Sequence, residues 1–275
     1  MLPARAPPSR AAMKTLHLLA LTLLLAGCAG GLRIDDRYRA RDQSSRVDFI
    51  VIHYTSSDFA TSLATLTRGG VSAHYLLPAD QPTAYRLVDE ERRAWHAGDS
   101  QWRGHTWLNA SSIGIELVNP GYEDTPQGRR WYPYPQAQID HLIALLKDLK
   151  TRHGVPGANI VGHSDIAPQR KVDPGPLFPW AQLGAAGLIP WPDAAGVQEQ
   201  LRRLDGRLPD VAWFQHQLAA AGYAVPQQGE LDQATRNVLA AFQMKYRPAR
   251  CDGQPDLETA ALLLALLQLE GAGRG

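Results

Sequence analysis

Val47-Asp48-Phe49-Ile50-Val51-Ile52-His53 is an apolar, β-branched run of strand length that stops on a histidine. Four of its last five residues are Phe, Ile, Val and Ile, so both faces of the strand are apolar and both want cover. Similar short runs recur at 73–77, 84–88, 113–118 and 160–162. Between them lies one long helical pattern, Gln136 to His153, with apolar residues at Ile139, Leu142, Ile143, Leu145, Leu146 and Leu149. Gly154 and then Pro156 close it. Strands that alternate with helical segments predict an α/β fold, a mixed central sheet flanked by helices, over residues 46–190. The stretch LIPWPDAAG (188–196) carries two prolines and small residues, which places a boundary near Ile189 and a linker over 191–204. Beyond it, helical patterns at 211–221, 233–244 and 257–269 predict a small three-helix C-terminal domain over 205–270.

At 275 residues the chain is long enough for one large domain and a small module, and its formal net charge of +1 offers no global field for nucleic acid. The N-terminus reads as an address. Lys14 precedes the apolar segment Leu16 to Ala26, which is too short to span a bilayer as a helix. It ends in Leu25-Ala26-Gly27-Cys28, which resembles a bacterial lipobox, with translation starting at Met1 or Met13. Residues 1–28 are thus expected to be a lipoprotein signal, Cys28 its lipidation site, and the polar residues 29–45 a tether. The competing reading is a buried apolar helix with a chance cysteine. Cys28 and Cys251 are the only cysteines and differ in setting, which argues against a disulfide and against a thiolate zinc site.

Three side chains suggest metal chemistry. His53 ends the first strand, His163 follows another in VGHSD, and Asp173 lies ten positions later in RKVDPG. Two imidazoles and a carboxylate can hold catalytic zinc and leave its fourth position open. From spacing alone a strand-end histidine is as readily structural. Glu116, inside the apolar SIGIEL, needs a cavity, a partner or solvent, and in a cavity it can act as general base. Lys171, two residues before Asp173, shares its face if the stretch is extended and can stabilise an oxyanion; otherwise it is a solvated lysine. Tyr54, His74, Trp95 and His96 sit in aromatic surroundings that suit a saccharide–peptide cleft, although His74 and His96 could equally be core histidines.

At these residues a family resemblance enters. IHYT (52–55), SAHYLL (72–77), RRAWHAGDSQWRG (92–104), SSIGIELVNPGY (111–122) and VGHSDIAPQRKVDPGPLFPW (161–180) resemble, in order, the zinc N-acetylmuramoyl-L-alanine amidases related to peptidoglycan-recognition proteins. The resemblance implies one zinc per chain on His53, His163 and Asp173, catalytic Glu116 and assisting Lys171. The implied reaction is hydrolysis of the amide between N-acetylmuramic acid and L-alanine in peptidoglycan and muropeptides. VAWFQHQLAAAGY (211–223), GELDQATRNVLAAFQMKY (229–246) and DGQPDLETAALL (252–263) resemble a peptidoglycan-binding module, with Asp232, Thr235, Phe242 and Gln243 at its marked positions. Together with the lipobox, this implies the outer-membrane lipoprotein branch, facing the periplasm. A non-catalytic wall-binding lipoprotein and a wall peptidase using zinc are the rival readings.

Overall fold

The computed structural model describes residues 34–272; the expected signal and Cys28 lie outside them. Residues 34–43 form neither helix nor strand. From there the chain runs β1 (Phe49–Tyr54), α1 (Phe59–Arg68), β2 (Tyr75–Leu77), β3 (Tyr85–Arg86), β4 (Gln101–Trp102) and β5 (His105–Thr106). It continues through β6 (Ser112–Leu117), β7 (Tyr122–Thr125), β8 (Gly128–Trp131), α2 (Gln136–His153) and β9 (Ile160–Gly162). Helices complete it: α3 (His163–Ile166), α4 (Trp180–Ala185), α5 (Ala194–Leu204), α6 (Val211–Ala221), α7 (Gln233–Tyr246) and α8 (Leu257–Ala272).

The central sheet has the order β3-β2-β6-β1-β9. β2, β6, β1 and β9 are parallel, and β3 runs antiparallel at the edge. β1 lies inside the sheet, between β6 and β9, and both its faces are covered, as its two-sided apolar run requires. One face carries Ile50, Ile52, Ile113, Ile115 and Ile160 onto the α2 stripe of Ile139, Leu142, Leu146 and Leu149, whose spacing of three and four residues is helical. Gly154, at φ 71°, ends α2 in the left-handed conformation that glycine adopts freely.

The opposite face departs from the expected organisation. Phe49, Val51 and Val161 belong to one continuous core with Phe214, Leu218, Leu239, Phe242 and Leu263 of the C-terminal helices. Those helices form the sheet's second layer, so the C-terminal domain shares a core with the sheet. The stretch 191–204, expected as a linker, is mostly helix α5. Asp193 caps it, accepting from the Gly196 N–H at 2.6 Å, and Gln200 donates to Gln268 of α8 at 2.9 Å. The prolines at 190 and 192 precede that cap, where they stop nothing. The expected three-helix domain over 205–270 is present as α6, α7 and α8, and α5 adds a helix ahead of it.

Its interior contains one hydrogen-bond pattern twice. Gln215 donates to Glu230 O at 3.0 Å and to Thr235 Oγ1 at 2.9 Å, and accepts from the Gly229 N–H at 2.8 Å. Gln243 does the same with Gln254 O at 2.8 Å, Thr259 Oγ1 at 3.1 Å and the Gly253 N–H at 2.9 Å. Asp232 and Asp256 cap the helices that follow, each accepting from a threonine N–H three residues on.

Candidate active site

The β1–β6 register pairs His53 with Glu116, and the β1–β9 register pairs Ile52 with Gly162, one residue before His163. Partners in a parallel register project to the same face. Glu116, His53 and His163 therefore emerge side by side at the carboxyl ends of three adjacent strands, where open parallel sheets place their ligands. Asp173 is returned to them by the loop 163–173, which the Ser164 N–H closes onto Asp173 O at 2.8 Å.

His53 Nδ1 lies 2.9 Å from His163 Nδ1, and Asp173 Oδ2 lies 3.1 Å from each. All three residues are buried. The hydrogen bonds behind them decide which atoms carry protons. Leu108 O can only accept, so Ser112 Oγ–H donates to it at 2.6 Å. Ser112 Oγ then accepts from His96 Nε2–H at 3.1 Å, which leaves His96 Nδ1 to accept from His53 Nε2–H at 3.0 Å. His163 Nε2–H donates to Ala97 O at 3.1 Å. In the neutral rings both Nδ1 lone pairs therefore point inward, at the Asp173 carboxylate. Burial first, and then His163, pushes the His53 imidazole down to about 4 against the pull of Asp173, so the ring stays neutral. Three lone pairs about 3 Å apart with no proton between them are the donor set of a divalent cation; two neutral imidazoles and one carboxylate suit zinc.

Glu116 stands beside this triad with Oε2 shielded from solvent and without a hydrogen-bond partner. Burial, and then the Asp173 charge, pushes its carboxyl up to about 8, while Lys171 pulls the other way. Glu116, Lys171 and the triad line a cavity of about 320 Å³. Tyr54, Trp95 and Tyr122 form part of its walls. Trp95 is 52% exposed, and the Arg93 guanidinium lies 4.1 Å from its ring centre. The Tyr54 ring needs Gly121 behind it, because a Cβ there would come within 2.5 Å of the ring.

Two expected substrate contacts are placed differently. His74 is fully buried and takes no part in the cavity lining. Its Nδ1 accepts from the Gly114 N–H at 3.0 Å and its Nε2 lies 3.1 Å from Arg92 O, so it is a core histidine. His96 borders the cavity, but both ring nitrogens are engaged by His53 and Ser112, which makes it a support for the triad. Its loop is fixed by Asn109 Oδ1, which accepts from the His96 and Ala97 N–H groups at 3.0 and 2.7 Å. Nothing in their residue types marks Asn109, Ser112 or Tyr122 as parts of the site. Only the small residues Ser112 and Gly114 inside an otherwise apolar strand hinted at a ring packed on that face.

Comparisons with known proteins agree with this arrangement. Residues 43–176, which include the triad, Glu116 and Lys171, match the N-acetylmuramoyl-L-alanine amidase family, and residues 207–263 match a peptidoglycan binding domain. The N-acetylmuramoyl-L-alanine amidase AmiD of Escherichia coli (strain K12) is 46% identical over 273 residues, covering 92% of this chain and 97% of the relative. A solved structure of that protein with anhydro-N-acetylmuramic acid-L-Ala-D-gamma-Glu-L-Lys superimposes with a TM-score of 0.80 at 45% identity, over 88% of this chain and 96% of the other. AmpDh3 from Pseudomonas aeruginosa also reaches a TM-score of 0.80, at 41% identity over 86% of this chain and 98% of its own. With this identity along nearly its whole length, the chain belongs to the N-acetylmuramoyl-L-alanine amidase family.

Proposed function

We propose that the protein is a zinc-dependent amidase that hydrolyses the bond between the lactyl group of N-acetylmuramic acid and L-alanine in peptidoglycan and its fragments. The observation that carries this reading is the set of three inward lone pairs on His53, His163 and Asp173 beside the unpartnered Glu116 carboxyl. When bound there, zinc would polarise the scissile carbonyl and acidify water. Glu116 takes the proton of the attacking water and returns it to the amine that leaves with the peptide. Its shielded, apolar setting raises its basicity enough for that exchange near neutral pH. Lys171, on the same cavity wall, places a cation toward the oxygen on which charge builds up. The half-exposed Trp95 ring offers an apolar surface for the sugar or lactyl portion.

The E. coli relative is described with an anhydro-muramyl peptide, and a fragment of that class suits the cavity here. Lipid attachment at Cys28 would hold the enzyme on the periplasmic side of the outer membrane, with the polar residues 29–45 as tether and wall-derived muropeptides within reach. Fractionation with labelled palmitate tests the anchor, since a soluble, unlabelled product would refute it. The catalytic reading is tested by digesting purified muropeptides, identifying the products by mass spectrometry and measuring metal in parallel. Release of intact stem peptide by protein holding one zinc supports it. Cleavage within the peptide would make the protein a peptidase, and activity without stoichiometric metal would remove zinc from the mechanism.

A further inference from the structure

Two residues beyond the ligand His163 lies Asp165, 1% exposed and fully engaged. Its Oδ2 accepts from the Gly162 N–H at 2.8 Å and from Lys245 Nζ at 2.9 Å; its Oδ1 accepts from the Tyr223 hydroxyl at 2.8 Å. Gly162 and Asp165 bracket His163, whereas Lys245 and Tyr223 come from α7 and from the turn after α6. Lys245 is itself buried, donates to Ile160 O at 3.3 Å and lies 4.3 Å from the centre of the Trp180 ring. The hydrolytic mechanism uses none of these groups. The far side of the same loop is also held by α7: Gln169 donates to Ala234 O at 3.1 Å and accepts from Asn237 Nδ2 at 2.9 Å. This loop supplies His163, Lys171 and Asp173, three of the five residues of the proposed chemistry.

We propose that the C-terminal helices are part of the catalytic centre: Lys245 is a positioning residue that, through Asp165, sets where His163 presents its Nδ1. The inference rests on the metal reading above. A buried ion pair adds little net stability over apolar packing of equal volume, because both charges lose their hydration. What this pair supplies is direction. Asp165 Oδ2 is held between the Gly162 N–H and Lys245 Nζ, so the strand-to-helix turn that carries His163 is pinned to a rigid helix. With Lys245 neutralised, Asp165 would be left buried and short of a donor, and would turn toward water, drawing the turn with it. The wall-binding part of the chain would then act on the metal centre as well as on the wall.

The test uses the full chain. Zinc affinity is measured by competition with a chelator, and the visible absorption of the cobalt-substituted protein reports ligand geometry. Lys245→Met is expected to weaken zinc binding by roughly 10- to 100-fold, as for other groups that orient metal ligands, and to shift the cobalt bands. Lys245→Arg, which keeps the charge, is expected to recover most of the loss. Leu263→Ala, in the same core but with no bond to Asp165, is expected to lower thermal stability and leave zinc affinity unchanged. If Lys245→Met does not fold, Tyr223→Phe decides, because it removes one donor to Asp165 with almost no change of volume; it should weaken zinc binding about threefold or more. Zinc affinity within twofold of wild type in the folded Lys245→Met or Tyr223→Phe protein overturns the proposal. So does an equal loss in Leu263→Ala, which would reduce the effect to general stability. Wild-type protein that binds no zinc would instead overturn the metal reading itself.

Discussion

Gly114→Ala adds one methyl group to the middle of β6. A Cβ at that position would lie 2.3 Å from His96 Cγ, 2.5 Å from Cδ2 and 2.6 Å from Nδ1. Carbon atoms settle at about 3.5–4.0 Å, so the imidazole would have to retreat by roughly 1.2–1.7 Å. That movement strains the 3.0 Å bond from His53 and the 3.1 Å bond to Ser112 beyond useful length. Overpacking of this kind costs about 1–3 kcal/mol, and the stiffer unfolded chain returns about 0.4–1 kcal/mol, for a net loss of about 1–2 kcal/mol. The larger effect falls on the metal. Without His96 as acceptor, His53 Nε2–H is no longer held and Nδ1 is no longer aimed, a change that typically weakens metal binding 10- to 100-fold. Chelator competition and thermal unfolding of the metal-free protein measure both effects. Gly70→Ala serves as control, since a Cβ there meets nothing within 4 Å. Zinc affinity within twofold of wild type, with unfolding temperature unchanged or raised, would refute the assignment of His96 as the support of His53.

Glu116→Gln is expected to retain zinc and lose turnover by roughly 10²-fold or more, measured as product release per zinc. The same variant should change the pH dependence of stability in the metal-free protein. The folded carboxyl sits near 8 against 4.5 in the unfolded chain, so its stabilising contribution is complete below about 4.5 and is lost as pH rises through 8. The wild-type loss, on the order of 3–5 kcal/mol, should be flattened in Glu116→Gln, as urea unfolding at several pH values would show. A chain ending at Ile189 would uncover Phe49, Val51, Trp102 and Val161, and is expected to be insoluble or to lack cooperative unfolding; a soluble fragment with a sharp thermal transition would contradict the shared core.

The parts of the fold that could be read beforehand are those in which one period repeats long enough to be unambiguous. α2 was readable because its stripe from Ile139 to Leu149 spans about three turns and a glycine closes the helix. β9 was bounded correctly by a change of residue type on either side. The hairpins β4–β5 and β7–β8 escaped notice because two or four residues hold too little alternation. At the site, chemical identity was readable and direction was not. His53 and His163, 110 positions apart, are brought together by a parallel register, and the loop 163–173 returns Asp173 to within 3.1 Å of both. His74 and His96 have similar neighbours in sequence, yet one turns into the core and the other braces the triad, and only packing on Ser112 and Gly114 distinguishes them.

The shared core could have been inferred by counting faces. β1 is apolar on both sides, Ile50 and Ile52 on one and Phe49 and Val51 on the other. A parallel sheet of such strands needs cover on both faces. Within 46–190 only α2 is long and striped enough to cover one of them, and α1, packed through Leu66 with Leu76 and Val118, covers the edge. One face was therefore left without a partner, and the apolar stripes of the C-terminal helices were the remaining apolar surface large enough to fill it. Family resemblance divides the chain where motifs end, and composition divides it at the prolines near 190, but neither counts uncovered strands. By that count the chain from β1 to α8 is one folding unit, and the loop that carries His163, Lys171 and Asp173 lies at its internal seam, with the sheet on one side and α7 on the other.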